Sequence, residues 1–308
     1  MRVVVLGAAA GGGVPQWNCN CGVCRIARDE RPELRATQAS IAVSADGEHW
    51  FLINASPDLR QQVIATPQLH PKAGQLRHSP IAGVILTNGE VDAVAGLLSL
   101  REGWPFTIYA HQRVLSILKS NSIFNVLDGK RVGREPIEFD AAFELKLPDG
   151  SPSGVEVLPF AAPGKRAWYL EGETRADFTE SPGDTLGLRI SDKRSGEHLY
   201  FLAACAALTP ELRQRLRGAP LIFFDGTLWR DDELIAAGLG AKTGQRMGHM
   251  AMSGADGAMA AFADLGIARK IFLHINNSNP VLLPDSAERQ AAEHAGWQIP
   301  PDGMEITI

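Results

Sequence analysis

No stretch of the chain approaches the ~18 consecutive apolar residues that a bilayer-spanning helix needs, so a membrane span is not expected. There is no block of basic residues either. Lys and Arg number 30 against 35 Asp and Glu, a net charge of −5, and a general nucleic-acid binder presents a basic face that this composition does not supply. No Ser/Pro-rich linker and no internal repeat interrupts the 308 residues, so residues 1–308 read as one domain built from two α/β halves. Cysteine is scarce at 4 residues, which excludes a disulfide scaffold. With 45% hydrophobic and 21% charged residues, disordered, collagen-like and coiled-coil classes are excluded as well.

The start, Met1-Arg2 followed by Val3-Val4-Val5-Leu6, has the look of a short signal peptide. It breaks at once into Gly11-Gly12-Gly13 and Pro15, so a first strand followed by a glycine loop is the better reading. A cytoplasmic protein with reduced cysteines is the expectation that follows.

Apolar β-branched runs predict strands at residues 2–6, 83–87, 106–110, 198–202, 221–224 and 270–273. Residues 41–44 and 50–53 flank Asp46-Gly47, a strong hairpin signal. Alternating residues 143–147, 155–158 and 186–190 predict a second run of strands. Helices are expected at 59–64, 93–100, 112–119, 210–216 and, on alanine content, 254–265. Strands buried on both faces call for two packed sheets with helices outside them.

The sharpest motif is the CxCxxC of Cys19, Cys21 and Cys24. Three thiols on one short loop in a reducing compartment point to a metal, and thiolates are the soft donors zinc prefers. Such a site pins a loop and needs a fourth ligand from elsewhere in the chain. Gly7 to Gly13 does not fit the GxGxxG of dinucleotide binding, because position 9 is Ala, and it reads as a tight turn near other backbone. Three strand ends carry polar residues where α/β proteins place their sites: Glu90 and Asp92, then Asp225, then His274. His249 precedes a helix, and a lone histidine in that position reads first as structural. Cys205 reads as a buried thiol.

Together these pieces resemble the metallo-β-lactamase superfamily. Residues 87–97 sit where that family carries THxHxDHxxGL, and the Asp225-Gly226-Thr227, Gly248-His249 and His274-Ile275-Asn276-Asn277 segments resemble its tRNase Z-like branch. Gly-Gly-Val-Pro before the CxCxxC resembles the phosphonate-pathway phosphodiesterase of that branch. Over nearly the whole chain the sequence is similar to the superfamily's pyrroloquinoline quinone (PQQ) biosynthesis proteins. Residues 11–19, 54–58, 98–103, 224–229 and 274–277 carry that resemblance.

The resemblance implies an α/β fold, a four-layer αββα sandwich, and a role in making PQQ. Two roles follow from it: carrying PQQ or its precursor towards the periplasm, or iron-dependent hydroxylation of a tyrosine on the precursor peptide. The superfamily's ligand histidines fall at Asn88, Glu90 and Ala93, and none is histidine here. The usual dinuclear zinc hydrolase is therefore disfavoured. Asp92 and His274 remain as the catalytic and cleft-metal residues, with Glu90 as a substitute ligand, and a histidine at Ala93 would restore a donor to the cleft. The cysteine zinc takes its fourth ligand in the related phosphodiesterase from a histidine whose counterpart here is Asn277, a poor zinc ligand, so His274 or water is expected instead. A carrier of the tricarboxylate PQQ needs cations, and Arg60, Lys165 and Arg246 adjoin the motifs. The oligomeric state is left open.

Overall fold

The computed structural model describes residues 1–172 and 181–308. Two seven-stranded sheets face each other. The first contains β1 (Arg2–Gly7), β2 (Ser40–Ser44), β3 (Trp50–Ile53), β4 (Ile81–Leu86), β5 (Phe106–Ala110), β6 (Val132–Pro136) and β14 (Glu305–Thr307), in the order β14-β1-β2-β3-β4-β5-β6. The second contains β7 (Phe143–Lys146), β8 (Pro152–Ala161), β9 (Leu186–Asp192), β10 (His198–Leu202), β11 (Leu221–Asp225), β12 (Arg269–Leu273) and β13 (Trp297–Gln298), in the order β13-β12-β11-β10-β9-β8-β7.

Each strand's side chains alternate between two apolar layers. Val3, Val5, Ile41, Phe51 and Ile85 of the first sheet meet Leu188, Leu199, Phe201, Phe223 and Ile271 of the second in the central core. The opposite faces are covered by helices. Val4, Leu52, Val84 and Leu86 pack with Leu59, Val114, Leu115 and Leu118 from helices Leu59–Ala65 and Gln112–Ser120. Leu202, Ile222, Phe224 and Phe272 pack with Leu212, Leu216 and Ala292 from helices Pro210–Leu216 and Ala287–His294. The expected αββα sandwich is the observed fold. Among the described residues no helix is long and apolar enough to cross a membrane.

Most expected elements appear, and the Asp46-Gly47 hairpin pairs Ile41 with Ile53. Two helices need correction. The alanine-rich helix expected at 254–265 shrinks to Ala258–Ala261. Gly254 takes a left-handed φ of +90, and a Cβ on Gly257 would lie 2.1 Å from the Ser253 carbonyl oxygen, so the chain turns sharply before the helix begins. The helix expected at 93–100 is one α-turn, Val91–Val94, continued as 3₁₀ over Ala95–Leu100. Gly96 donates its N–H to Ala55 O at 2.8 Å, and that crossing contact tightens the segment.

β3 to β6 are parallel, as are β10 to β13. The C-terminal ends of β4, β11 and β12 therefore deliver residues 87–92, Asp225 and His274 to one edge of the sandwich, where open α/β sheets bind ligands.

Candidate metal centres

The cysteine loop builds the first centre. The sulfurs of Cys19, Cys21 and Cys24 lie within 4.8 Å of one another. A tetrahedral zinc with bonds of about 2.3 Å puts its sulfurs about 3.8 Å apart, so the triad matches that spacing. Burial, aided by the neighbouring thiols, pushes the Cys21 thiol up to about 12. Burial also works against a charge on Cys19, but hydrogen bonds from Cys21, Cys24 and Asn277 outweigh it and lower that thiol. A bound dication reverses the burden on Cys21, because a coordinating thiol is deprotonated outright. The fourth side of the triad belongs to Asn277. Its backbone carbonyl oxygen accepts from Cys21 Sγ at 3.5 Å, and its side-chain nitrogen donates to Cys24 Sγ at 3.2 Å.

The second centre lies on the floor of a cavity of 580 Å³, a volume ordinary for a small-molecule site. Asp92, Glu90, His249, His274, Thr227 and Gln16 are among its lining residues. His274 follows β12 with a left-handed φ of 57, a conformation that costs about 1 kcal/mol or more for a non-glycine residue. The next residue is pinned on both sides: Ile275 N donates to Ala8 O at 2.9 Å and Ile275 O accepts from Ala10 N at 2.8 Å. The glycine-rich loop, expected as a turn close to other backbone, makes these contacts, and Gly11 faces Asp92.

Asp225 is fully buried and all its acceptor directions are used. It accepts from Cys205 N at 2.9 Å, Thr227 N at 3.0 Å, Thr227 Oγ1 at 2.6 Å and His249 Nδ1 at 2.7 Å. An ionised carboxylate only accepts, so His249 carries its proton on Nδ1. Thr227 gives its proton to Asp225 and accepts from His274 Nδ1 at 2.8 Å. Both histidines are thus tied inward through Nδ1, and their rings stack with centroids 5.0 Å apart. His274 Nε2 donates to Asp92 Oδ2 at 2.8 Å. Burial opposes charge on both partners of that bond. Their mutual hydrogen bond outweighs it, raising His274 and lowering Asp92 from their ordinary values.

Glu90 differs. Burial, reinforced by the charge of Asp92, pushes its carboxyl up to about 7 although it accepts from Trp168 N at 2.9 Å. The native state therefore binds a proton that the unfolded chain releases near 4.5. Stability should fall as pH rises between those two values. Glu90→Gln should flatten that decline when urea unfolding of metal-free protein is compared at pH 5 and pH 7. An unchanged slope would count against the assignment.

Residues 49–275 match the model of the Beta-lactamase superfamily domain. The chain is 71% identical over 308 residues to Coenzyme PQQ synthesis protein B of Rhodopseudomonas palustris strain BisB5, covering 100% of both. The chain belongs to the Coenzyme PQQ synthesis protein B family, within the beta-lactamase superfamily. Zn(2+)-bound PqqB from Methylobacterium extorquens has the same fold, with a TM-score of 0.92, 47% identity and 100% of both chains covered. A diphosphatase from the PhnP family, at TM-score 0.68 and 21% identity over 100% of this chain and 97% of its own, shares the fold alone.

Set against the superfamily motif, the three substituted positions of this family member lie in two different places. Asn88 and Glu90 line the cavity, whereas Ala93 is 2% exposed and packs in the outer core of the first sheet. Ala93, unlike its neighbour Asp92, is not among the described residues that line the cavity, so the expected donor position at 93 starts from the outer core. His274 sits with Asp92 and Thr227 and apart from the sulfurs, so Asn277 and not His274 occupies the fourth side of the cysteine triad. Of the cations expected at the cleft, Lys165 lines the cavity. Arg60 and Arg246 do not: both are exposed on the outer faces of their helices, Leu59–Ala65 and Gly244–Met247. Sequence reasoning passed over three participants. Local pattern alone marks His249 as structural and Thr227 as a motif residue, and it gives no signal for Lys242, which also lines the cavity. The Gly248-His249 and Asp225-Gly226-Thr227 segments were the available signals, since each follows or faces a buried strand end. Cys205 is buried as expected, its N–H held by Asp225.

Proposed function

We propose that the chain serves in PQQ synthesis as a metal-dependent hydroxylase of the precursor peptide, with His249, His274 and Asp92 holding iron and the cysteine triad holding a structural zinc. One observation carries this reading: on the floor of the cavity His274, tied inward through Nδ1, meets Asp92, and His249, likewise tied through Nδ1, stacks beside it with ring centroids 5.0 Å apart. Two histidines and a carboxylate with open positions is the ligand set of non-haem iron(II) oxygenases. Asp225 lies within 4.8 Å of both histidines, but its acceptor directions are taken up, so it orients His249 in place of ligating. Iron held by these residues would supply dioxygen activation. The chain's own residues hold the Nδ1 protons of both histidines inward and keep Asp92 ionised against burial, and a metal at His274 Nε2 would displace the proton that nitrogen shares with Asp92. Support for zinc in the triad comes from the spacing of its sulfurs, and PqqB from Methylobacterium extorquens is Zn(2+)-bound.

The deciding experiment loads the protein with iron(II) anaerobically, then adds oxygen, a reductant and precursor peptide, and follows the peptide by mass spectrometry. The expected product gains one oxygen on its tyrosine. Unmodified peptide with fully loaded protein would reject the hydroxylase. The carrier reading has its own support in Lys165 and Lys242 at the cavity, cations suited to carboxylates. Tight PQQ binding without peptide modification would favour it.

A further inference from the structure

Two lysines and a glutamate meet at the cavity without being needed by the metal centres. Lys165 comes from the loop after β8 and Lys242 from the loop before helix Gly244–Met247. Both line the cavity, and no other Lys or Arg is among the described lining residues. One carboxylate bridges them: Glu171 Oε1 accepts from Lys165 Nζ at 2.8 Å and Glu171 Oε2 accepts from Lys242 Nζ at 3.0 Å. Glu171 itself is not a lining residue. It reaches the two ammonium groups from the rim.

We propose that Lys165 and Lys242 form a carboxylate-binding subsite at the cavity mouth, which Glu171 fills until a ligand carboxylate displaces it. The proposal rests on the carrier reading, in which the cavity takes the polycarboxylate PQQ or a precursor, and it deepens that reading by naming what recognises the acid group.

Geometry supports the exchange. The bridge shows that one carboxylate, one oxygen per lysine, satisfies both cations at once, which is the arrangement a ligand carboxylate would take over. The pair is also easily vacated. The side chains of Glu171 and Lys242 are 43% and 45% exposed, and ion pairs in that setting are weak and solvent-screened. Lys165 is better fixed: its side chain is 22% exposed, and its Cγ lies 3.0 Å from the position a Cβ would take on Gly248. The two lysines hold the Glu171 carboxyl down at about 2, so it competes with a ligand charge for charge at any working pH. Beside the subsite, Trp168 lines the cavity and is 62% exposed, a flat apolar face for an aromatic ring that carries carboxylates.

The test titrates the full chain with two probes by calorimetry at fixed ionic strength: PQQ, and trimesate, a benzene tricarboxylate lacking the quinone. Glu171→Gln keeps the size and removes the charge, and should tighten binding of both probes about fivefold. Lys242→Met and Lys165→Met should each weaken both about tenfold. Lys242 and Glu171 are solvated, so these variants keep the fold. Unchanged or weaker binding in Glu171→Gln overturns the displacement, and unchanged binding in Lys242→Met overturns the subsite. Failure of every protein to bind either probe also overturns it. If trimesate follows the expected pattern while PQQ does not bind, the subsite stands and the carrier reading fails.

Discussion

Cys21→Ser should cost the protein about one zinc per chain and lower its Tm by roughly 5–10 °C, the scale of a ~3 kcal/mol loss in a chain of this size. Serine keeps the volume but replaces a soft thiolate by a hard hydroxyl that stays protonated, and two sulfurs do not hold zinc as three do. The loss should stay short of unfolding, because the central core between the sheets forms without the cysteine loop. The loop has other anchors too: Arg28 donates to the carbonyls of Gln16 and Cys19 at 3.1 and 2.9 Å. The effect should nonetheless reach the cavity. Gln16 donates its N–H to Cys24 Sγ at 3.4 Å and lines the cavity, so a slackened triad moves one wall. Elemental analysis and thermal melts of wild type and variant check the expectation together. Full zinc content in Cys21→Ser would dispose of the thiolate site.

At the cavity floor, Asp92→Ala and His249→Ala should each abolish high-affinity iron(II) uptake while leaving the cysteine-bound zinc in place. Removing one of three protein ligands leaves too few donors to hold a divalent ion against water. Asp225→Asn should behave differently. It touches no proposed metal position but accepts the Nδ1 proton of His249, and an amide nitrogen at that place would turn the ring away. Loss of such an orienting partner weakens metal affinity by about 10- to 100-fold without erasing the site. Anaerobic iron(II) titration of the three variants beside wild type, with zinc measured in parallel, reads all of these outcomes. Equal uptake by wild type, Asp92→Ala and His249→Ala would place any iron elsewhere.

The sequence alone determined the strands, the hairpin at Asp46-Gly47, the layered αββα architecture and the cysteine triad. These depend on side-chain period and on spacings of a few residues, which the chain carries locally. The strand-end carboxylates and His274 were legible for the same reason, since a buried parallel strand must deliver its next residue to the sheet edge. Local reading failed where glycines turned the chain before residue 258, where helix phase faced Arg60 and Arg246 outward, and where Ala93 turned into the core. The partners within the site were decided only by tertiary structure. Pairing of Asp225 with Leu273 across β11 and β12 sets the carboxylate beside His274, and a contact 24 residues away brings His249 to it. Glu171 meets Lys242 across 71 residues. Sheet register and loop crossing set these meetings, and neither leaves a periodic trace in the sequence, because the free energy that fixes them comes from burying the two sheets against each other and not from the residues that meet.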